Sequence, residues 1–229
     1  MDQLSAATSA ALQLFPDSRT SLGERLGPLI ADRLVALARN GDVEPMVAPA
    51  QEFGRLLPDA KASIESRVAP TAVDALVAKA GTSGATVASL RLPVETLRRL
   101  FPSAVPLLES KLAPVLSASL ARAASTTGLD ITPLAEPVRA FRALFPDQVA
   151  SMERRVAESL VEGISAVAAT DAARISDLAG PLRDFRALLP SQADKIDAPL
   201  SDVLATNLQG PVSGVADALA GLLHRMRTL

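Results

Sequence analysis

Apolar residues recur along this chain at helical spacing and then stop, again and again, at a proline. Ile131, Leu134, Val138, Phe141 and Leu144 lie three, four, three and three residues apart. That spacing puts all five on one face of an α-helix. The run ends in Leu144-Phe145-Pro146-Asp147. Proline disfavours the helical conformation of the residue before it, so the helix must stop at this point. The same proline suits the first position of a new helix, and the aspartate adds negative charge to that helix's first turn. The tetrapeptide therefore predicts a corner between two helices.

The corner is written five times, with anchor prolines at Pro16, Pro58, Pro102, Pro146 and Pro190, separated by 42, 44, 44 and 44 residues. A steady period of this length marks a repeat architecture. Other positions keep the same phase. Nine residues before the anchor stand Pro49, Pro93, Pro137 and Pro181; five before it stand Phe53, Leu97, Phe141 and Phe185. Six after it come Leu22, Ile64, Leu108, Met152 and Ile196, and ten after it Leu26, Val68, Leu112, Val156 and Leu200. Val/Ile-x-x-Leu steps such as Val87 to Leu90, Ile131 to Leu134 and Ile175 to Leu178 lead from one unit into the next. Gly41, Gly81 to Gly84, Gly128 and Gly210 supply helix ends and turns. Pro137 either kinks its helix or stands in the first turn. Pro28, Pro70 and Pro114, twelve after the anchor, are expected to bend or split the second helix, because an interior proline costs ~3 kcal/mol. Glu158 takes that place in the fourth unit, which predicts a continuous helix there.

The fold expected is all-α: an elongated α-solenoid of about five ~44-residue helical-hairpin repeats, forming one domain over residues 1–229. The units fall near 5–46, 47–90, 91–134, 135–178 and 179–222, followed by a C-terminal tail. With neighbouring helices ~8–10 Å apart, five units would stack to roughly 40–50 Å. The alternative is a closed helical bundle.

Composition narrows the function. Aromatic residues are 3% of the chain, with no Trp, Tyr or Cys, so Leu, Val, Ile and Ala must build the core. The absence of cysteine rules out disulfides, thiolate metal sites and cysteine nucleophiles. The net charge of −2 is unlike that of a general nucleic-acid binder. The N-terminal stretch lacks the basic residues of a secretory signal, and no uninterrupted apolar run of membrane-spanning length is evident. A cytoplasmic location is expected. The single histidine, His224, reads as a cation near a helix C-terminus rather than as a catalytic base, and no cofactor or metal is expected.

Two sets of charges share the repeat's phase. Glu65, Glu109, Glu153 and Asp197 recur at one position, with Arg67, Lys111 and Arg155 two residues later and Arg25 at the matching place in the first unit. These predict a salt-bridged surface ladder. Arg98, Arg142 and Arg186 occupy a second position, and Arg139 and Arg183 precede the latter two by three residues. Stacked units would align these arginines as a row able to grip carboxylates or phosphates, offset in part by Glu52, Glu95, Glu136 and Asp184. No set of residues suggests an enzyme. The function expected is a protein-binding scaffold or a self-assembling element. The alternatives are nucleic-acid or polyanion binding along the arginine row, and lipid-surface binding by amphipathic helices. For self-assembly, the N-terminal helix (Leu4, Ala7, Leu12) and the last one (Val215, Leu219, Leu222, Leu223) look one-sidedly apolar.

Overall fold

The computed structural model describes residues 1–39, 41–82, 85–170, 178–199, 201–202 and 205. Helices dominate, and no strand forms among the described residues. Two compact units make up the chain: Met1–Leu116 with Arg139–Gln148, and Ser117–Val138 with the residues from Val149 onward. Ile175, Leu200, Gly84, Gly210, His224 and the predicted last helix lie outside the described residues.

In the first unit α1 (Asp2–Leu14), α3 (Glu44–Leu56) and α5 (Val87–Leu100) each run up to an anchor proline, while α2 (Arg19–Ala38) and α4 (Lys61–Ala80) follow one. Like packs on like. The helix α1 lies on α3 and α3 on α5; α2 lies on α4, and α4 on the segment Leu108–Leu112. Repetition explains this. Helices of the same phase carry their apolar stripe at the same angle, so each buries it against its counterpart one period later. After the third corner come α6 (Ala104–Leu107), the widened π-type turn Leu108–Leu112 and α7 (Ala113–Thr127). The helices α8 (Ala135–Leu144), α9 (Val149–Thr170) and α10 (Ala179–Leu188) complete the series.

The corners are alike in atomic detail. The residue before the proline leaves the helical region at Phe15, Leu57, Phe101 and Leu189, with φ between −134° and −127° and ψ between 65° and 87°. In all five corners its N–H donates to the carbonyl four residues back: Phe15 to Ala11, Leu57 to Phe53, Phe101 to Leu97, Phe145 to Phe141 and Leu189 to Phe185, at 2.8–2.9 Å. Its own carbonyl then accepts from the residue two beyond the proline, as in Ala60 to Leu57 at 3.1 Å and Gln192 to Leu189 at 3.0 Å. A turn of 3₁₀ helix beginning at Pro16, Pro58, Pro146 or Pro190 starts the next helix, and the third corner makes a plain turn at Pro102-Ser103. Proline fits because its position needs no N–H, and it holds the preceding residue out of the helical region.

Of the outcomes expected at the interior prolines, splitting of the helix does not occur at Pro28 or Pro70. Pro28 and Pro70 lie within unbroken helices of 20 residues each, so a unit holds two helices and not three. Each proline frees one carbonyl, that of Glu24 or Ser66, and both residues face solvent, where water replaces the lost donor. At Pro114 the adjustment is visible: the turn just before it widens, and the N–H of Ala113 donates to Leu108 five residues back. Pro137 and Pro181 stand in the first turns of α8 and α10. Gly41 and Gly128, with φ of +67° and +59°, end α2 and α7 in the left-handed region that glycine tolerates.

The repeat's apolar positions form the core. Phe53, Leu97, Phe141 and Phe185 are at most 1% exposed, and Ile64, Leu108, Met152 and Ile196 at most 5%. The first unit is looser, with Leu22 and Leu26 only half-buried. Its helix α1 buries Ser5, Thr8 and Leu12, not the Leu4 and Ala7 face suggested by hydrophobicity. The Ser5 hydroxyl donates to Glu52 on α3, and the Thr8 hydroxyl donates to the Leu4 carbonyl at 2.7 Å. Polar residues can therefore occupy a buried face when each hydroxyl finds an acceptor.

Candidate interaction surface

Where the repeats meet, side chains at fixed phases reach from one unit to the next. The Glu65 carboxylate on α4 accepts the backbone N–H of Ser103 at 2.6 Å. The Glu153 carboxylate on α9 does the same for Ser191, at 3.3 Å, and also accepts that serine's hydroxyl. Ser103 and Ser191 directly follow the anchor prolines Pro102 and Pro190. Their N–H groups belong to the first turn of a starting helix, where no intrahelical acceptor exists and a negative charge is favoured.

This corrects the predicted ladder. Its charges Arg67, Lys111, Glu109 and Asp197 are all in ion pairs, but with partners from outside the ladder. Arg67 binds Asp32 at 2.8 Å and Lys111 binds Asp74 at 2.7 Å. Asp32 and Asp74 lie sixteen residues after the anchor of the preceding unit. The residue two beyond each glutamate is a neighbour in sequence but not on a helix surface, where facing positions are three or four apart.

The arginines divide between the two compact units, with Arg98, Arg139 and Arg142 in the first and Arg183 and Arg186 in the second. The guanidinium of Arg98 lies 3.9 Å from Glu109 and 5.3 Å above the centre of the Phe145 ring, which itself packs on Phe141 at 5.2 Å. Its Nε and Nη2 are buried without a hydrogen bond, so the ring face and the ion pair take the place of water. Arg186 makes the equivalent ion pair with Asp197 at 2.6 Å. In both cases an arginine four residues before the anchor is joined to an acid seven after it, tying the helix before the corner to the segment beyond. Arg183 is exposed and 3.7 Å from Asp184; Arg139 is exposed and Arg142 half-buried.

Large apolar side chains left in solvent include Leu14 at 74%, Phe15 at 62%, Leu29 at 56% and Leu92 at 65% exposure. Phe15 stands just before its proline, and the counterparts Leu57, Phe101, Phe145 and Leu189 are at most 4% exposed. Among the described residues no group of His, Cys, Asp or Glu has the clustering a metal ion needs. The stretch Ala104–Thr127 is long and apolar enough, by length and composition, to cross a membrane, although Glu109, Lys111 and Arg122 interrupt its apolar run. It carries Glu109 and Lys111, and Leu108, Leu112 and Leu116 on it are fully buried within the protein, the pattern of a core helix. No protein-family model matches this chain, and neither does any curated protein or solved structure.

Proposed function

We propose that this chain is a non-enzymatic helical-repeat scaffold, an elongated α-solenoid of about five units whose stacked surface recognises another protein. One observation carries the reading: the junction chemistry recurs. The carboxylate seven residues after the anchor reaches the next corner at both Glu65–Ser103 and Glu153–Ser191. Like-on-like packing of α1, α3 and α5, and of α2 and α4, is how a stack grows by addition of units. An active site requires one unique constellation, whereas the polar groups here repeat with the fold.

Two measurements test this. The cysteine-free chain accepts a specific dye pair at Asp17→Cys and Ser201→Cys, both exposed positions. Energy transfer should report ends roughly 40–50 Å apart for a stack, and a separation below about 25 Å points to a closed bundle. For recognition, a captured protein partner should keep its affinity as salt is raised. Binding to RNA or heparin that weakens steeply with salt, and is lost when Arg139 and Arg183 are replaced, would transfer the function to polyanions.

A further inference from the structure

The exposed edge around Phe15 has a matching surface in the chain itself. At internal junctions the residue four before one anchor meets the residue just before the next. Gly54 and Phe101 line one small cavity together with Phe53 and Ile64. Arg98 caps the Phe145 ring at 5.3 Å. The carboxylate seven past the preceding anchor accepts the corner's N–H at Ser103 and at Ser191, from Glu65 and Glu153. Before the Asp147 corner the corresponding acid, Glu109, pairs with Arg98, the same arginine that covers Phe145. The Leu144-Phe145-Pro146-Asp147 corner therefore lies against an Arg–acid pair.

The fifth unit carries this pair as Arg186–Asp197 at 2.6 Å, with the two side chains 51% and 54% exposed. The first corner reads Leu14-Phe15-Pro16-Asp17, identical to Leu144-Phe145-Pro146-Asp147. We propose that copies of this chain associate head to tail, Phe15 of one copy seating on Arg186 of the next as Phe145 seats on Arg98. The interface continues the internal repeat, and therefore rests on the stacked-repeat reading above. Being heterologous, it leaves a free Phe15 edge and a free Arg186 edge on every dimer, so growth continues beyond two copies.

Sedimentation velocity of the full chain from about 5 to about 500 µM, which brackets the affinity of a small interface, tests this. The wild type should grow with concentration past the dimer. F15D and R186E should each weaken association by on the order of 10- to 100-fold, through loss of the ring–cation contact and its buried area. An equimolar mixture of F15D and R186E should recover a complex that stops at the dimer, because each variant keeps one intact edge. Circular dichroism verifies folding. Leu14→Asp is a second edge variant, and Arg186→Met replaces R186E if helicity falls. A wild type that stays monomeric, an F15D that associates like wild type, or a mixture that fails to pair overturns the proposal. A monomer that still binds a protein partner ends this inference alone, whereas association without any partner binding ends the recognition reading alone.

Discussion

Replacing Glu153 with alanine tests whether the repeats are tied together at their corners. The side chain is 2% exposed and accepts two hydrogen bonds from Ser191, one from its N–H at 3.3 Å and one from its hydroxyl. Hydrogen bonds to charged groups contribute about 1.5–3 kcal/mol each, and the long amide bond belongs at the low end. Ser191 lies at an exposed corner, so water recovers part of the loss after truncation. A net cost of about 2–3 kcal/mol remains. Glu65 is the internal control, being only half-buried and holding Ser103 through the amide. Its truncation should cost about 0.5–1 kcal/mol. With no Trp or Tyr, fluorescence cannot follow unfolding, and repeat arrays open locally rather than all at once. Hydrogen exchange of the amides at Leu189 and Gln192 is the suitable readout. At ~1.4 kcal/mol per factor of ten, E153A should accelerate their exchange about 30- to 150-fold, and E65A should accelerate the third corner's about 2- to 5-fold. Equal effects for the two variants, or less than about threefold for E153A, would refute the junction argument, since that is the scale of an ordinary exposed ion pair.

Other substitutions probe the helices themselves. Gly54 sits inside α3, and no atom lies within 4 Å of the place an alanine methyl would take, so Gly54→Ala should stabilise by about 0.5–1 kcal/mol in thermal denaturation; a loss would mean that the Phe101 pocket needs the space. Pro70→Ala restores a donor for the Ser66 carbonyl in an already continuous helix and should stabilise by about 1 kcal/mol, net of the freedom gained by the unfolded chain. Destabilisation would show that Pro70 sets the curvature of α4. Arg155 stands where Arg67 and Lys111 stand, but Ala118 replaces the acid it would meet. Ala118→Asp should complete the rung and gain up to about 0.5 kcal/mol at low salt, a gain that should disappear in ~1 M salt.

The sequence made the corners legible because proline acts on its immediate neighbours. The non-helical Leu57 and Phe101, and the 3₁₀ turns at Pro58 and Pro146, need only local sterics to be foreseen. The buried positions of Phe53, Phe141 and Phe185 followed from helical spacing in the same way. The same steric reasoning left bending and splitting both open at Pro28 and Pro70, and no split occurs. It counted the lost donor without knowing that the freed carbonyls of Glu24 and Ser66 would face water. Side-chain partners one unit away were not legible. Glu65 and Ser103, or Lys111 and Asp74, are 38 and 37 residues apart, and only the packing of α4 on the segment after the third corner brings them together. The sequence placed Glu65 and Arg67 in one ladder without naming their partners, which lie in neighbouring repeats. The Arg98–Phe145 contact was hidden for the same reason, as its partners lie in successive 44-residue repeats.

The anchor tetrapeptide therefore does two jobs with different readers. Leu/Phe-Pro turns the chain, and every unit writes it. The residue after the proline addresses the neighbouring unit, and it varies between Asp and Ser. A serine corner offers an N–H and a hydroxyl, and a carboxylate accepts both, as Glu153 does from Ser191. An aspartate corner offers negative charge, so its neighbour presents no acid, as at Gly23, or an acid already neutralised, as Glu109 is by Arg98. Placing the wrong pair together would set two carboxylates against each other at a partly buried site, with a cost that identical apolar cores could not correct. Repeats that look interchangeable in their aliphatic positions are thereby made distinguishable, without any change to their apolar positions.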